Sequence, residues 1–446
     1  GTAGDGAADA GPAAPGAGGA GDPYYPDDGN GGYDVQHYDV TIDYDPDRQR
    51  LDGDATITAR ATQSLSRFNL DLFALRAAEA WVDDAPAGVA REGRHELVIT
   101  PATPIAEGAT FRVRVRYDGQ PGLFEESGLG AGGWYANETG GAVAAGEPHS
   151  ATTWYPANDT PRDKATFALT ATVPEGWTVI SNGTDEPVST RDGRSTFRWR
   201  LDEPVATYLT TVAIDRFTVR RSTLRDGTPV IDAYAPGAED ARADQERLPE
   251  IIEFLEEKFG PYPFDSAGGI FLSASIGYAL ELQTRPVYSP DPGVEIIVHE
   301  NAHQWFGNSV TVSSWADICL NECFASYAQW LWNEHEGENL DERYRDLVGR
   351  VDLAVPLYDM GAGNEFRGVY GKGPLALHAL RRTIGDEAFD RVLREWPERH
   401  RDGNASWPQF EAFVTEVAGR DLRGFFDAWF HGTERPADEY LHPGGL

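Results

Sequence analysis

Tyr38, Val40, Ile42 and Tyr44 alternate with polar residues, the two-residue period of a strand with one buried face. Phe111, Val113, Val115 and Tyr117 repeat the pattern, with Arg112, Arg114 and Arg116 on the opposite face. Strand-like runs follow at 167–173, 196–201 and 208–214. Asp52-Gly53, Asp118-Gly119 and Asn182-Gly183 supply the turn signals between strands. The period then changes. Leu248, Ile251, Ile252, Leu255 and Phe259 form a helical stripe that Gly260-Pro261 ends. A short strand-like stretch at 270–273 comes next, and helical patterns fill most of the chain from Gly293 to Phe430. Strands first and helices second predict an α+β chain. The expected division is an antiparallel β domain over 23–218 and a mainly helical domain over 219–446.

Residues 1–22 are almost entirely Gly, Ala, Asp and Pro. Such a segment buries too little apolar surface to offset its ordering entropy, which predicts a disordered tether. The chain begins at Gly1 rather than Met, and the expectation is a processed, exported protein, secreted or at the cell surface, with no signal or anchor visible.

The 446 residues leave room for two to three domains, and 40% hydrophobic residues suffice for a sizeable core. Lys+Arg is 38 against Asp+Glu 72, a formal net charge of −34. That charge opposes extended contact with nucleic acid or an anionic membrane. No apolar run approaches the ~20 residues of a membrane span. A monomer is expected. Only Lys164, Lys258 and Lys372 are lysines, which fits either a GC-rich genome or adaptation to high salt. The two cysteines exclude a disulfide-rich scaffold.

His299-Glu300-Asn301-Ala302-His303 carries the most specific chemistry. On a helix, residues four apart share a face, so His299 and His303 can offer two imidazoles to one Zn²⁺. Glu300 lies about 100° round the helix, placed to reach a water at the metal rather than the metal. Glu322 follows His303 with 18 residues between them, inside a second helical pattern from Trp315 to Trp332. Gly307 can end the first helix and leave a short connection to an antiparallel partner that brings Glu322 in as third ligand. Three protein ligands leave a fourth position open, the arrangement of a catalytic zinc site. The blander reading is a helix with two hydrogen-bonded histidines, and it requires the rest of the pattern to be accidental. Trp305, Phe306, Trp315, Phe324, Tyr327, Trp330 and Trp332 are expected to pack between helices.

These motifs resemble the aminopeptidase N family of gluzincin metallopeptidases. His303-Gln304-Trp305-Phe306-Gly307-Asn308 and Asn321-Glu322 carry the resemblance at the metal. Ala279-Leu280-Glu281 sits where the family has Gly-Ala-Met-Glu-Asn, and Tyr370-Gly371-Lys372-Gly373 resembles its Tyr-Glu-Lys-Gly motif. Trp154-Tyr155-Pro156-Ala157-Asn158-Asp159, with Lys164-Ala165, resembles its Phe-Pro-Cys-x-Asp-Glu-Pro-x-x-Lys-Ala stretch. The resemblance spans roughly residues 30–440. It implies a saddle-shaped β domain followed by a thermolysin-like domain, in a short form without the family's C-terminal helical domain and so with an open active site. It also implies one Zn²⁺ per chain and peptide substrates with a free N-terminus. By the same resemblance Glu300 is the general base, Tyr370 stabilises the tetrahedral oxyanion, and Glu281 and Glu147 anchor the substrate's ammonium. Asn321 is then expected to hydrogen-bond a ligand imidazole. Lys372 is either functional or structural.

Five positions depart from the family pattern: Asn301, Cys319, Cys323, Tyr278 and Leu282. Cys319 and Cys323, four apart on one helix, are expected to be buried thiols, with a disulfide as the alternative. The leading functional expectation is a zinc aminopeptidase. An endopeptidase with an open cleft and a non-catalytic binding protein on the same fold are the alternatives.

Overall fold

The computed structural model describes residues 11–125 and 130–446. The part of the expected tether at 1–10 lies outside them. The alternating segments form a long twisted sheet, in which 76–82, 110–119, 50–61, 33–45, 165–174 and 194–205 are successive neighbours. Along Tyr38–Tyr44 every second side chain is buried, and Val40, Ile42 and Tyr44 are almost fully enclosed. The expected antiparallel order is broken in one central place. Tyr33–Asp45 runs parallel to Ala165–Pro174, because the chain crosses over a second sheet between them. That second sheet comprises 178–181, 212–215, 142–145, 132–136 and 123–124. The run at 208–214 is only half strand: Thr207–Leu209 is a 3-10 turn and the strand is Val212–Asp215.

The second half opens with a smaller sheet of Thr218–Thr223, Pro229–Tyr234, Ala267–Phe271 and Val287–Tyr288. Its last three strands are parallel. Ala267–Phe271 is buried on both faces, so it shows no alternation in the sequence. Helix Leu248–Phe259 carries the stripe read from the sequence, with Leu248, Ile251, Ile252, Leu255 and Phe259 buried. Helices Val294–Ala302, Cys319–His335 and Lys372–Ile384 follow.

The tether expectation is corrected for residues 11–22. Ala14–Pro15 pairs with Leu65–Asp71, and Ala17 accepts a backbone hydrogen bond from Gly31. Asp22 is buried, and its carboxylate accepts from the backbone N–H groups of Tyr24 and, across the molecule, Trp315. The small side chains permit close backbone contact instead of apolar burial: a Cβ on Gly19 would meet the Pro26 carbonyl oxygen at 2.2 Å. Ordering comes from backbone hydrogen bonds, which a reading based on hydrophobic content misses. Among the described residues, no helix is long and apolar enough to cross a membrane.

Candidate metal centre and amine-binding site

Helix Val294–Ala302 presents His299 and Glu300. His303 is the first residue beyond it and keeps helical dihedrals, so the two histidines still stack one turn apart. Helix Cys319–His335 lies alongside and presents Glu322 from its first turn. His299 Nε2 is 3.2 Å from Glu322 Oε2, His303 Nε2 is 3.1 Å from Glu322 Oε1, and the two Nε2 atoms are 3.2 Å apart. Ligands at about 2.0–2.1 Å from a tetrahedral zinc stand roughly 3.3 Å from one another. The two Nε2 atoms and the Glu322 carboxylate, with one ligand atom from each residue within 4.8 Å of the others, therefore suit one zinc ion.

The opposite ring nitrogens are held. His299 Nδ1 is 2.8 Å from Gln329 Oε1, and His303 Nδ1 is 3.0 Å from the Phe306 carbonyl oxygen. With Nδ1–H donating to these acceptors, each Nε2 lone pair faces the site. Gln329 and Phe306 were not singled out from sequence. Gln329 lies two turns beyond Glu322 on the same helix, and that spacing is the signal that could have found it.

Asn321 does not reach a ligand imidazole, so its expected role is corrected. Its amide donates to the Tyr208 hydroxyl at 3.4 Å and packs over Gly307. Gly307 has φ 124°, and a Cβ there would meet Asn321 Cγ at 3.1 Å. Asn321 thus fills the gap between the turn after His303 and the β domain.

Three further carboxylates close on this centre. One oxygen each from Glu147, Glu281 and Glu322 lies within 4.8 Å of the others, and the same holds for Glu281, Glu300 and His303. All are buried. Glu147 Oε1, Glu281 Oε1 and Glu300 Oε2 have no hydrogen-bond partner among the described residues. Glu147 follows Gly146, where a Cβ would stand 2.4 Å from the His149 carbonyl oxygen. Only glycine lets that turn press Glu147 into the centre. Glu281 is set from behind by the segment after His303. Asn308 Nδ2 donates to the Glu281 carbonyl at 2.7 Å, and Gln304 Oε1 accepts from Thr284 N at 3.0 Å.

Burial raises Glu300 to about 8, and burial with the neighbouring charges of Glu281 and Glu322 raises Glu147. Burial also raises Glu281. Burial works against ionisation of Glu322 too, but His303 and His299 override it and hold its carboxyl well below the usual range. So many desolvated acids around two imidazoles make a site that favours cationic ligands.

Tyr370 precedes helix Lys372–Ile384 and stands at the mouth, 45% exposed, with its ring centroid 6.0 Å from that of His299. Phe366 stacks on its other side at 6.3 Å. Lys372 points away and donates to the Val355 carbonyl at 2.7 Å, a structural contact.

The departures are accommodated. Asn301 donates to Ile297 O at 2.9 Å and to the Tyr288 hydroxyl at 3.2 Å. Tyr278 shares a 2.8 Å hydroxyl hydrogen bond with Tyr135. Cys319 and Cys323 are joined in a disulfide, which corrects the expectation of two thiols. Their Cα atoms are 4.8 Å apart, and Cys323 lies against Gly373, where a Cβ would meet its Sγ at 2.8 Å.

Comparison with known proteins agrees with this architecture. The Peptidase M1 N-terminal domain family matches residues 34–209, and the Peptidase family M1 domain matches 279–354. A crystal structure of an M1 zinc metallopeptidase from Deinococcus radiodurans superposes with a TM-score of 0.89 at 30% identity, covering 96% of this chain and 100% of that one. This chain belongs to peptidase family M1. A point mutant of the Deinococcus enzyme, bound to a Tyr-Ser-Ala substrate, matches with a TM-score of 0.88 at 31% identity over 94% of this chain and 99% of that one. Aminopeptidase N of Lactococcus lactis is 28% identical over 324 residues, 63% of this chain but 37% of its own length. Aminopeptidase N of Streptomyces lividans is 27% identical over 304 residues, 60% of this chain and 35% of its own length. The chain thus spans little more than a third of the length of these two aminopeptidases. Zinc is the family's metal, and His299, His303 and Glu322 are the residues whose geometry suits it.

Proposed function

We propose that this M1 peptidase is an aminopeptidase that removes N-terminal residues from peptides. The observation that carries the reading is the pair Glu147 and Glu281: two buried carboxylates, each with an unpartnered oxygen, one step from the metal ligands. A substrate's free ammonium satisfies both, whereas an internal amide leaves them unpaired in a desolvated site. Fixing the ammonium fixes which peptide bond reaches the reacting position.

His299, His303 and Glu322 would hold the zinc, which supplies Lewis-acid polarisation of the scissile carbonyl and of a water. Glu300 Oε2 takes the attacking water's proton and returns it to the leaving amine. Burial raises its pKa, which helps the carboxyl hold the proton between the two transfers. Tyr370 donates its phenolic hydrogen to the developing oxyanion. The surrounding carboxylates, Glu322 and Glu147 foremost, disfavour loss of that phenolic proton.

Extracellular location is part of the same proposal. The Cys319–Cys323 disulfide suits an oxidising compartment. The formal charge of −34 disfavours self-association and supports a monomer.

Hydrolysis of a panel of aminoacyl chromogenic amides by zinc-loaded protein tests the activity, with zinc content measured alongside. Glu300→Gln should lower kcat by about 10²–10⁴ while keeping one zinc per chain. Equal turnover by the variant would remove Glu300 from the reaction.

A further inference from the structure

A second cluster lies in the β domain, away from the zinc centre. Strand Leu65–Asp71 pairs antiparallel with strand Glu96–Thr100, and the register sets Asp71 directly opposite Glu96. Like charges in opposed positions destabilise a sheet. Here one of the pair is almost fully enclosed, Asp71 being 1% exposed. His95 adjoins Glu96, and one ligand atom from each of Asp71, His95 and Glu96 lies within 4.8 Å of the others.

Each carboxylate has one anchored oxygen and one unanchored. Asp71 Oδ2 accepts from Gly29 N and Asp159 N, both at 3.0 Å, while Asp71 Oδ1 has no partner among the described residues. Glu96 Oε2 accepts from Asn69 Nδ2 at 2.8 Å, while Oε1 has no donor among the described residues and lies 3.6 Å from His95 Nε2. Burial and the charges of Glu96 and Asp159 push the Asp71 carboxyl well up. An enclosed carboxylate oxygen facing a second carboxylate is stabilised by either a shared proton or a cation.

We propose that Asp71, Glu96 and His95 bind an oxygen-preferring divalent cation of the Mn²⁺ or Ca²⁺ type, distinct from the zinc. The two carboxylate oxygens suit both ions, and the imidazole favours Mn²⁺, the transition metal of the two. The site lies under the N-terminal segment. His95 Nε2–H donates to the Asp27 carbonyl oxygen at 2.9 Å, which leaves the buried Nδ1, without a partner among the described residues, as the nitrogen for the ion, and the Gly29 N–H binds Asp71. The same segment reaches the catalytic domain, where Tyr24 donates to Asp359 at 2.7 Å and Tyr25 donates to Glu365 at 2.9 Å. Both acceptors lie shortly before Tyr370 in the chain. An ion at Asp71 therefore secures the strap that joins the two domains.

The test uses the full-length zinc-loaded protein, dialysed free of other metals and titrated with Mn²⁺. Bound metal is counted by elemental analysis and Tm is followed in parallel. One saturable Mn²⁺ equivalent beyond zinc is expected, displaced by excess Ca²⁺. With Mn²⁺ at about 100 times its Kd, Tm should rise by several degrees. Glu96→Gln and His95→Gln, two separate variants at partly exposed positions, should each keep one zinc and lose both the second equivalent and the Tm rise. Zinc alone in the wild type overturns the proposal, and points to a proton shared between Asp71 and Glu96. Undiminished Mn²⁺ uptake by either variant also overturns it, and assigns the metal to the acidic surface.

Discussion

At the scale of single residues, the site is defined by what each carboxylate touches. Glu322 faces two imidazoles and stays ionised; Glu300 faces none at hydrogen-bond distance and is pushed up to about 8. The environment thus separates a ligand from a proton carrier, although both are glutamates in adjacent helices. Tyr370 is the one reacting side chain with substantial exposure, which suits a donor that meets substrate at the mouth. Tyr370→Phe should lower kcat by about 10²–10³ with little change in KM, measured on the best aminoacyl amide. An unchanged kcat would reassign the tyrosine to packing against Phe366. His299 and His303 were readable as a pair because residues four apart share one helix face, and Glu322 because a short connection after Gly307 sets the next helix alongside. The disulfide was not, since residues four apart on a regular helix give poor side-chain geometry for one. The N-terminal turn bearing Cys319 brings the Cα atoms to 4.8 Å instead. Asn321 was misread because sequence adjacency to a ligand does not say which way an amide points.

At the scale of elements, two helices and their connection do the positioning. Gln304, Gly307 and Asn308 lie in the connection after His303 and hold the Glu281 segment, so one motif sets both the metal face and the amine anchor. Gln329 sets the tautomer of His299 from the far end of the contact between helices 294–302 and 319–335. Gln329→Ala should weaken zinc binding by about 10- to 100-fold, read by competition with a chelator, while the fold remains intact by circular dichroism. Zinc affinity equal to wild type would show that the orientation of His299 is set elsewhere. Elements with an alternating or 3.6-residue pattern were legible. The strand Ala267–Phe271 was located only approximately, because a doubly buried strand carries no polar face to mark its period.

At the scale of the whole molecule, the order of β then α was legible from the change of period between the strand-like run ending at 214 and the helical stripe beginning at Leu248. How the halves are joined was not. Lys164 reaches from the β domain to the carbonyl oxygens of Asn308 and Ser309 at 3.0 Å and of Gly403 at 3.2 Å. Desolvation there lowers its pKa to about 7. The segment at 11–30 adds a second connection, made largely by glycine and alanine backbone that hydrophobic patterning cannot register. Both connections converge on the cleft: Lys164 holds the turn carrying Asn308, and the N-terminal strap holds the loop before Tyr370. Glu147 comes from one domain and Glu281 from the other, so the proposed recognition of a substrate ammonium requires the domains to be fixed in this arrangement.

That shared recognition of the ammonium is the central claim, and one comparison tests it most directly: kcat/KM for a peptide with a free N-terminus against its N-acetylated form, in the wild type and in Glu281→Gln. Each charged hydrogen bond to the ammonium is worth about 1.5–3 kcal/mol, so acetylation should cost the wild type at least about 100-fold, and Glu281→Gln should shrink that ratio by about tenfold or more. Comparable hydrolysis of the acetylated peptide by the wild type would contradict the account and mark the enzyme as an endopeptidase.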